Sequence, residues 1–412
     1  MRAQLIAAAV LLLAACTSSA QNTQPTGPSH STPRHHRTHS PAPTTDSTRS
    51  TPHSTPTTPT PPTTSPVSPA TLAQRLFDRM NEAQRVGQLL MVDCPTTSVG
   101  SATISAITVH HVGSVILDGN SFAGLAATQG VTNQLQRLAP DSTGLFIATD
   151  LEGGLVQRLQ GPGFTRIVSA VQQGTIAPRE LERFARGWGN QLHDAGVNVN
   201  LAPVLDTVPA NFGSNPPIGD LDREFGHTPA VVTAHGLAVL RGMLAAGVDP
   251  TVKHFPGLGR TTGNTDTTGG VVDSVTTRDD PYLGPFRAAI AAGTPFVMMS
   301  TAIYSNLDPG TPAAFSRPIV TGLLRDAFGF SGLVISDDVG GAAQVASYGI
   351  GERAVRFIAA GGDVVLTVDA NQAGPMTAAL LAKAGNDPAF KRLVDAAALR
   401  VLEAKQVRGL LG

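Results

Sequence analysis

The chain has 412 residues and a formal net charge of −1, with 29 Lys and Arg residues against 30 Asp and Glu residues. The basic residues are scattered among acidic ones, which excludes the basic stripe of a nucleic-acid binder, and we expect no nucleic-acid partner. Beyond the N-terminal segment, no stretch reaches the roughly 18 consecutive apolar residues that would predict a membrane span.

The beginning of the chain is typical of an export signal. Met1-Arg2 leads into an apolar run, Leu5–Ala15, which is too short to span a bilayer and ends before Cys16. The segment Leu13-Ala14-Ala15-Cys16 resembles the bacterial lipobox, which implies cleavage before the cysteine and attachment of diacylglycerol to its thiol. An ordinary signal peptide with a chance cysteine is the alternative. We therefore expect a lipoprotein signal peptide over residues 1–15.

The next segment, residues 16–68, is expected to be the lipidated cysteine followed by a disordered tether. Ser, Thr, Pro, His, Gln and Asn dominate it, and such a stretch buries too little apolar surface to offset the entropy of ordering. Its many prolines favour extended conformations. We predict that it holds a folded domain, residues 69–412, away from the membrane and within the cell wall.

Short apolar runs alternate with longer amphipathic ones through the rest of the chain. The apolar runs lack polar alternation, as expected of strands buried on both faces. The eight predicted strands are Val86–Cys94, Gly113–Leu117, Gly144–Asp150, Val197–Leu205, Val248–His254, Pro295–Ser300, Gly332–Asp337 and Asp363–Val368. The predicted helices between them include Pro178–Ala195, Pro229–Ala246, Pro281–Ala292 and Gly340–Ala360.

Eight strand–helix units predict an α/β fold, a single (β/α)8 TIM-type barrel. An open doubly wound sheet would give the same alternation, but it gathers its site at one switch point. Here polar residues follow many different strands, as a barrel mouth requires. These residues are Asp150, Asp206, Lys253 with His254, Ser300, Asp337 and Asp369.

Cys94 is the second of two cysteines, and it lies in an apolar stretch. If Cys16 is acylated, no intramolecular disulfide is available, and stability must come from burial of the core. We expect Cys94 to be a buried, inert thiol and not a nucleophile.

The segment Asp150–Arg158 follows the third predicted strand. Its two glycines allow a tight turn and a close approach to a ligand. Asp150 can accept hydrogen bonds from sugar hydroxyls, and Arg158 can donate several. A plain loop with a surface ion pair is the alternative.

The segment Lys253–Arg260 begins where the fifth predicted strand ends. A Lys-His pair at the end of an apolar strand is costly to bury unless both side chains find polar partners. A ligand rich in hydroxyls would supply them, and a structural ion pair with a neighbouring strand-end Asp is the alternative.

The seventh predicted strand ends in two adjacent carboxylates, Asp337 and Asp338. Because side chains alternate along a strand, we expect only one of them to face the mouth of the barrel. Asp337 comes first and suits a nucleophile that forms a covalent glycosyl intermediate. Asp338 suits the N-cap of the following helix as an alternative.

Taken together, these segments resemble glycoside hydrolase family 3, specifically its NagZ-type β-N-acetylglucosaminidases and, among them, lipoproteins of the LpqI type. The family motif D-x-E-G-G-x-V-x-R matches Asp150–Arg158, and K-H-F-P-G matches Lys253–Gly257. A-P-V-x-D matches Ala202–Asp206, R-x-F-G matches Arg223–Gly226, and the S-D of the nucleophile strand matches Ser336-Asp337. The motifs keep the family order.

The resemblance implies a role for each matched position. Asp337 would be the nucleophile, and Asp206 would orient Arg223 or Lys253. The residues that would hold the non-reducing-end sugar are Asp150, Arg158, Arg223, Lys253 and His254. The implied activity is retaining hydrolysis of terminal β-linked N-acetylglucosamine from cell-wall fragments, with no metal or organic cofactor.

One family feature is missing from the loop Leu258–Thr268. NagZ-type enzymes follow K-H-F-P-G with H-G and then an Asp-Ser-His whose His is the general acid and base, but no His lies in this loop. Three interpretations remain. Asp266 transfers the proton from a mobile Gly/Thr-rich loop that closes over the substrate, and this is the one we favour. Alternatively, His227 or His110 swings in, or the leaving group or a slow turnover demands little acid help.

The sequence thus predicts a monomeric exo-β-N-acetylglucosaminidase that trims peptidoglycan fragments outside the plasma membrane. A family member acting on another β-sugar, or transferring the glycosyl group to phosphate, is the enzymatic alternative. A sugar-binding cell-wall lipoprotein with weak or lost catalysis is the non-enzymatic alternative. Because the chain ends at Gly412, soon after the eighth unit, we expect no second domain of the kind that supplies a Glu acid in the β-glucosidase branch.

Overall fold

A computed structural model describes residues 71–140 and 142–412. The predicted signal peptide, the predicted lipidation site Cys16 and all of the predicted tether lie outside the described residues. No helix within the described ranges is long and apolar enough to cross a membrane.

The described residues contain twelve strands. In chain order, β1 to β12 are Leu90–Pro95, Ser114–Asp118, Phe146–Thr149, Leu151–Gly153, Val156–Gln157, Val199–Asn200, Asp249–Phe255, Val272–Asp273, Phe296–Met299, Ile303–Tyr304, Leu333–Ser336 and Val365–Thr367. Eleven α-helices, α1 to α11, are Leu72–Arg79, Glu82–Gly87, Ser101–Thr108, Leu125–Leu138, Ala170–Gln173, Pro178–Asp194, Pro229–Ala245, Gly284–Ala291, Ile350–Ala360, Ala373–Asn386 and Pro388–Val407. A π-helix covers Pro318–Ala327.

Eight strands form one parallel sheet in the order β11-β9-β7-β6-β3-β2-β1-β12. Its two edge strands meet through a parallel bridge between Ile335 and Val364. The Ser336 amide donates to the Val364 carbonyl at 3.0 Å across the same seam. The sheet is therefore a barrel, which confirms the predicted (β/α)8 fold and shows that the open-sheet alternative was wrong.

Two apolar layers flank the barrel wall. The inner layer takes every second residue of successive strands, such as Phe146 with Ala148 and Phe296 with Met298. Phe146 and Phe296 meet edge to face, with ring centroids 5.5 Å apart. The barrel interior is thus a packed core and not a pore, and the outer layer joins the strands to the helices.

The first predicted strand began too early. Val86 and Gly87 belong to α2, which a capping box at Asn81 and Gln84 initiates. The Gln84 amide donates to the Asn81 side chain, and the Asn81 amide donates to the Gln84 side chain, each at 2.9 Å. These two bonds satisfy amides that would otherwise lack partners, so the helix forms in spite of the apolar run that follows it.

The predicted helix Gly340–Ala360 is wrong in its first ten residues, because α9 starts only at Ile350. Residues 340–349 instead form a loop with a short 3-10 turn, Ala343–Val345. A Cβ on Gly340 would lie 2.1 Å from Thr367 Oγ1, so this backbone packs directly on β12. The loop stays at the mouth of the barrel, next to the site described below.

Candidate active site at the mouth of the barrel

The carboxyl ends of the barrel strands surround a pocket of about 490 Å³. Ile116, Leu201, Met298 and Leu366 belong to the inner apolar layer and close the pocket from the barrel side. The charged or titratable residues in its wall are Asp118, Asp150, Arg158, Arg223, Lys253, His254, Asp266, Asp337 and Asp338. This is a blind pocket of ligand size, with an apolar floor and an ionic wall.

A four-residue ionic network forms one side of the wall. Lys253 Nζ lies 2.7 Å from Asp150 Oδ1 and 2.6 Å from Glu152 Oε1. Arg223 donates to both oxygens of Glu152, from Nε at 2.8 Å and from Nη2 at 2.7 Å. Two cations thus balance two anions. Lys253 has the strand-end Asp partner that the structural alternative required, and it also lines the pocket.

Electrostatics keeps this network ionised. Burial alone would lower the pKa of Lys253, but the charges of Asp150 and Glu152 outweigh it and raise that pKa. Burial would likewise raise the pKa of Glu152, and Arg223 and Lys253 together bring it well below its usual range. Lys253 and Arg223 are therefore charged and held in position before a substrate binds.

The hairpin of β4 and β5 carries Glu152, which holds Lys253 and Arg223 of the pocket wall, and leads directly into Arg158. Its turn contains Gly153 at φ 105° and Gly154 at φ 58°, a backbone conformation that favours glycine. A Cβ on Gly153 would also lie 2.3 Å from the Val168 carbonyl oxygen. The expected tight turn is therefore present. Arg158 lines the pocket, where its Nη1 donates to Asn120 Oδ1 at 3.5 Å and its buried Nε has no hydrogen-bond partner among the described residues.

Asp206 is fully buried and holds His254. Its Oδ2 lies 2.7 Å from His254 Nδ1, and its Oδ1 accepts from the amides of His254 at 3.2 Å and Leu258 at 2.7 Å. The expectation that Asp206 orients Arg223 or Lys253 was wrong, because the bridge between Val204 and Lys253 sets residue 206 beside residue 254. No described residue bonds His254 Nε2, and His254 lines the pocket.

Asp337 follows β11 directly and lies in the pocket wall. Its Oδ1 accepts from the Asp338 amide at 2.9 Å. Burial raises the pKa of Asp337 to about 6; His254 lowers it, Asp266 raises it, and Lys253 lowers it. His254 and Lys253 thus oppose the effect of burial on this carboxylate.

Asp338 does not turn away from the mouth, as strand alternation had led us to expect. The strand ends at Ser336, so alternation no longer applies, and both carboxylates line the pocket. Asp338 accepts from the amides of Gly340 at 2.8 Å, Gly341 at 2.9 Å and Val368 at 3.2 Å. It caps the loop after β11 and not the helix α9.

Asp266 also lines the pocket, on the loop between β7 and β8. Its amide donates to Asn264 Oδ1 at 2.9 Å, and its carbonyl accepts from the Ala343 amide at 3.1 Å. No described residue donates to its carboxylate, which is exposed and influences the pKa of Asp337. Asp266 and Asp337 are therefore neighbours in one pocket.

The two histidines considered as replacements lie elsewhere. His227 Nδ1 is 3.1 Å from the Val208 carbonyl oxygen. A Cβ on Gly374 would lie 3.3 Å from His110 Nε2, which places that ring against the start of α10. Neither histidine lines the pocket.

Two more of the predicted strand-end residues, like Asp206, stay outside the pocket lining. Ser300 Oγ accepts from the Ala302 amide at 3.0 Å, and Asp369 Oδ1 accepts from the Asn371 amide at 3.0 Å. Both side chains hold the loops that follow their strands.

Glu152 and Asp118 were not predicted to be site residues. Glu152 lies at the centre of the ionic network, and Asp118 ends β2 and lines the pocket. Asp118 could have been predicted, because it stands at the end of an apolar strand, as Asp150 and Asp337 stand at the ends of theirs. Cys94 is fully buried, as expected, and burial raises the pKa of its thiol to about 11.

The chain is similar to known hexosaminidases in sequence and in structure. The chain is 49% identical to a β-N-acetylhexosaminidase structure from Beutenbergia cavernae, with a TM-score of 0.78 over 79% of this chain and 99% of that one. It is 32% identical to a β-hexosaminidase of Xylella fastidiosa over 74% of this chain and 91% of the relative. It is 29% identical to β-hexosaminidase LpqI of Mycobacterium tuberculosis over 70% of this chain and 74% of the relative.

Residues 83–404 match the family model described as the glycosyl hydrolase family 3 N-terminal domain. That range contains all eight barrel strands and every residue of the pocket wall. The chain is therefore a glycosidase that belongs to glycosyl hydrolase family 3.

Proposed function

We propose that the protein is a retaining exo-β-N-acetylglucosaminidase that removes terminal N-acetylglucosamine from peptidoglycan-derived saccharides. The observation that carries the proposal is the position of Asp337, in the wall of a blind pocket lined by groups that bind hydroxyls. A pocket closed from the barrel side admits the end of a saccharide and not its middle, which supports exo action. The hexosaminidases of Beutenbergia cavernae and Xylella fastidiosa support the choice of sugar.

Asp337 is the proposed nucleophile. The Asp338 amide binds Oδ1, which leaves Oδ2 to attack the anomeric carbon. Attack breaks the glycosidic bond and forms a covalent glycosyl–aspartate ester, which water then cleaves with overall retention. The positive charge of Lys253 favours the ionised form that this step needs.

Asp266 is the proposed general acid and base. Its carboxyl group faces the same pocket as Asp337 and has no hydrogen-bond donor among the described residues. In the first step it would protonate the leaving oxygen, and in the second it would take a proton from the attacking water. It would thus do the work of the histidine that this loop lacks.

The remaining wall residues are proposed to bind the sugar. Asp150 offers carboxylate oxygens, Lys253 and Arg158 offer donors, and His254 offers Nε2. Arg223, fixed by Glu152, completes the wall. Preorganised charges of this kind orient a hydroxyl-rich ring at little cost in reorganisation.

The proposed location is the outer face of the plasma membrane, through the predicted lipid on Cys16. The lipobox-like sequence and the similarity to LpqI support this placement. Replacing Cys16 with Ala in cells is expected to move the protein from the membrane fraction to the soluble fraction. Retention of the variant in the membrane fraction would show that another segment anchors it.

The activity can be tested with purified full-length chain and 4-nitrophenyl β-N-acetylglucosaminide. Wild-type protein is expected to release nitrophenol and, by NMR, to form the β-anomer of the sugar first, whereas Asp337→Asn is expected to be inactive. Mass spectrometry of a trapped glycosyl–enzyme adduct would exclude a binding-only lipoprotein. Turnover that requires added phosphate would instead favour a phosphorylase, and equal turnover by the Asn variant would overturn the assignment of Asp337.

A further inference from the structure

The loop that contains Asp266 is fastened to the segment that follows Asp337. The Ala343 amide donates to the Asp266 carbonyl at 3.1 Å, and the Gln344 amide donates to the Thr265 carbonyl at 3.0 Å. Thr265 is 1% exposed, so this contact is inside the protein and not on its surface. The loop is attached on both sides of the Asp266 side chain.

Gln344 adds a second attachment through its side chain. Its Oε1 accepts from the Val271 amide at 2.8 Å, and its Nε2 donates to the Val271 carbonyl at 3.1 Å. Gln344 and Val271 are both buried. The side-chain amide of Gln344 therefore satisfies both the N–H and the C=O of Val271, as the backbone of a neighbouring strand would. Val271 lies five positions after Asp266.

These hydrogen bonds link the Asp266 loop to the segment that begins at Asp337, so the two carboxylates are held by one small part of the structure. Gln344 lies in the turn Ala343–Val345, soon after Asp338, whose carboxylate caps the start of this loop. An isolated Gly/Thr-rich loop would lose much entropy on ordering, and the bonds from Gln344 offset part of that loss in advance. Because a misplacement of about 1 Å in a catalytic group costs on the order of 100-fold in rate, such attachment matters to proton transfer.

We infer that Gln344 is the positioning residue for proton transfer by Asp266, an inference that rests on the proposed function. Gln344 itself does not line the pocket and does not touch the substrate site. Its contribution is to hold Asp266 where a carboxyl proton reaches the glycosidic oxygen. Gln344 thus holds the Asp266 loop in place before the substrate binds, whereas the sequence had led us to expect a mobile loop that closes over the substrate.

A positioning role has a signature that a general loss of stability lacks. Acid assistance matters most when the leaving group is a poor one, such as a sugar alkoxide, and matters little for nitrophenolate. The value of kcat/KM reports the steps up to the first irreversible one, here formation of the glycosyl–enzyme. Displacing Asp266 should therefore lower kcat/KM for a disaccharide much more than for the nitrophenyl glycoside.

The test compares N,N′-diacetylchitobiose with 4-nitrophenyl β-N-acetylglucosaminide, using the full chain in detergent. Gln344→Met keeps the size of the side chain but removes both hydrogen bonds to Val271. We expect kcat/KM to fall about 100-fold on the disaccharide and less than about 5-fold on the nitrophenyl glycoside. Gln344→Glu keeps the acceptor for the Val271 amide but sets an oxygen against the Val271 carbonyl, so it is expected to show the same selectivity between the two substrates, which preserves the test if Gln344→Met does not fold.

Gln157 supplies a matched control. It is also buried, and its side chain braces the loop that follows β5, accepting from the Ile167 amide at 2.9 Å and donating to the Thr165 carbonyl at 2.8 Å. Gln157→Met breaks an equivalent brace away from Asp266. It is expected to change kcat/KM for the two substrates by similar factors, whatever its effect on stability.

Asp266→Ala separates this inference from the proposed function. If Asp266→Ala selectively impairs the disaccharide and Gln344→Met adds nothing further in that background, both are supported. If Asp266→Ala is selective but Gln344→Met lowers both substrates equally, the inference about Gln344 is overturned and the role of Asp266 stands. If Asp266→Ala shows no selectivity, the proton-transfer role of Asp266 and the inference fall together.

Discussion

At the scale of single residues, burial and neighbouring charges shift the pKa of Asp337 in opposite directions. Burial raises its pKa to about 6, while His254 and Lys253 oppose the rise. A nucleophilic carboxylate must be ionised, so kcat/KM for the nitrophenyl glycoside, which needs little acid help, should fall as the pH drops through about 6 and level off above it. Replacing His254 with Gln removes a lowering influence and should move this acidic limb to higher pH. A limb that stays in place in a pH profile of the variant would show that His254 does not act on Asp337.

Lys405 is a buried ionisable residue outside the pocket lining. It is fully buried, its Nζ donates to Gln88 Oε1 at 2.7 Å, and burial lowers its pKa from 10.5 to about 7. Between those values the unfolded chain binds a proton that the folded chain does not, so stability should decline as the pH falls from 10.5 to 7. The penalty amounts to roughly 3–5 kcal/mol at and below pH 7.

Lys405→Met removes this titration. The melting temperature of the variant relative to wild type should therefore be several degrees higher at pH 6 than at pH 10. Lys383→Met alters a lysine that is half exposed and paired with Asp387 at 3.0 Å, and it should show little such dependence. A constant difference for Lys405→Met across this pH range would mean that Lys405 is charged in the folded protein.

A site residue could be predicted from the sequence when a feature of the residues next to it marked it. Asp337, Lys253 and His254 each interrupt an apolar strand at its end, and such a break is visible in the sequence alone. Glu152 was missed because its partners Arg223 and Lys253 lie 71 and 101 residues further along the chain. Only the barrel brings them together.

At the scale of elements, the hairpin of β4 and β5 is joined to the barrel by Glu152. Replacing Glu152 with Gln leaves Arg223 and Lys253 without their shared carboxylate, and breaking a buried ionic group in this way costs about 3–5 kcal/mol. We expect a lower melting temperature together with a raised KM, because Lys253 loses one of the two anions that fix it. Thermal unfolding and steady-state kinetics measure the two effects.

Glu352→Gln is the matched control for this prediction. Glu352 pairs with Arg356 at 2.6 Å, but both side chains are about half exposed. Solvent-exposed pairs contribute little, so the melting temperature and KM should remain close to those of wild type. Equal destabilisation by the two variants would refute the idea that burial of the Glu152 network matters.

The loop at residues 340–349 shows where element prediction failed. Its composition permits a helix that is continuous with α9, but long-range bonds fix it otherwise. Asp338 binds the amides of Gly340 and Gly341, and the Gln344 side chain binds Val271. Such contacts between distant segments leave no periodic trace in the sequence.

At the scale of the whole molecule, the repeated strand–helix pattern predicted the barrel but not its closure. Eight apolar runs with intervening helices are each visible locally, whereas the β11–β12 seam requires knowledge of the sheet as a whole. The seam has only one isolated bridge, between Ile335 and Val364. Side chains at the start of β12 therefore matter more to closure there than at the fully paired strands.

Asp363 is the residue that reinforces this seam. It is fully buried, and its carboxylate accepts from Arg325 at 2.5 Å, Arg400 at 2.8 Å and the Val334 amide at 2.8 Å. Asp363→Asn would leave both arginines without an anion, at a cost of about 2–4 kcal/mol once their partial exposure is taken into account. Because Asp363 precedes β12, at the end of the barrel opposite Asp337, the folded variant should retain wild-type kcat/KM well below its melting temperature.

Asp249→Asn tests the same separation of stability from activity at another strand. Asp249 begins β7 and pairs with Arg408 just after α11, again at the end away from the pocket. Both variants should therefore melt earlier than wild type and yet hydrolyse the nitrophenyl glycoside at the wild-type rate at low temperature. A drop in kcat/KM for either fully folded variant would show that strain at the closed end of the barrel reaches Asp337. The barrel would then have to be regarded as one mechanical unit, because disturbing its seam would disturb its mouth.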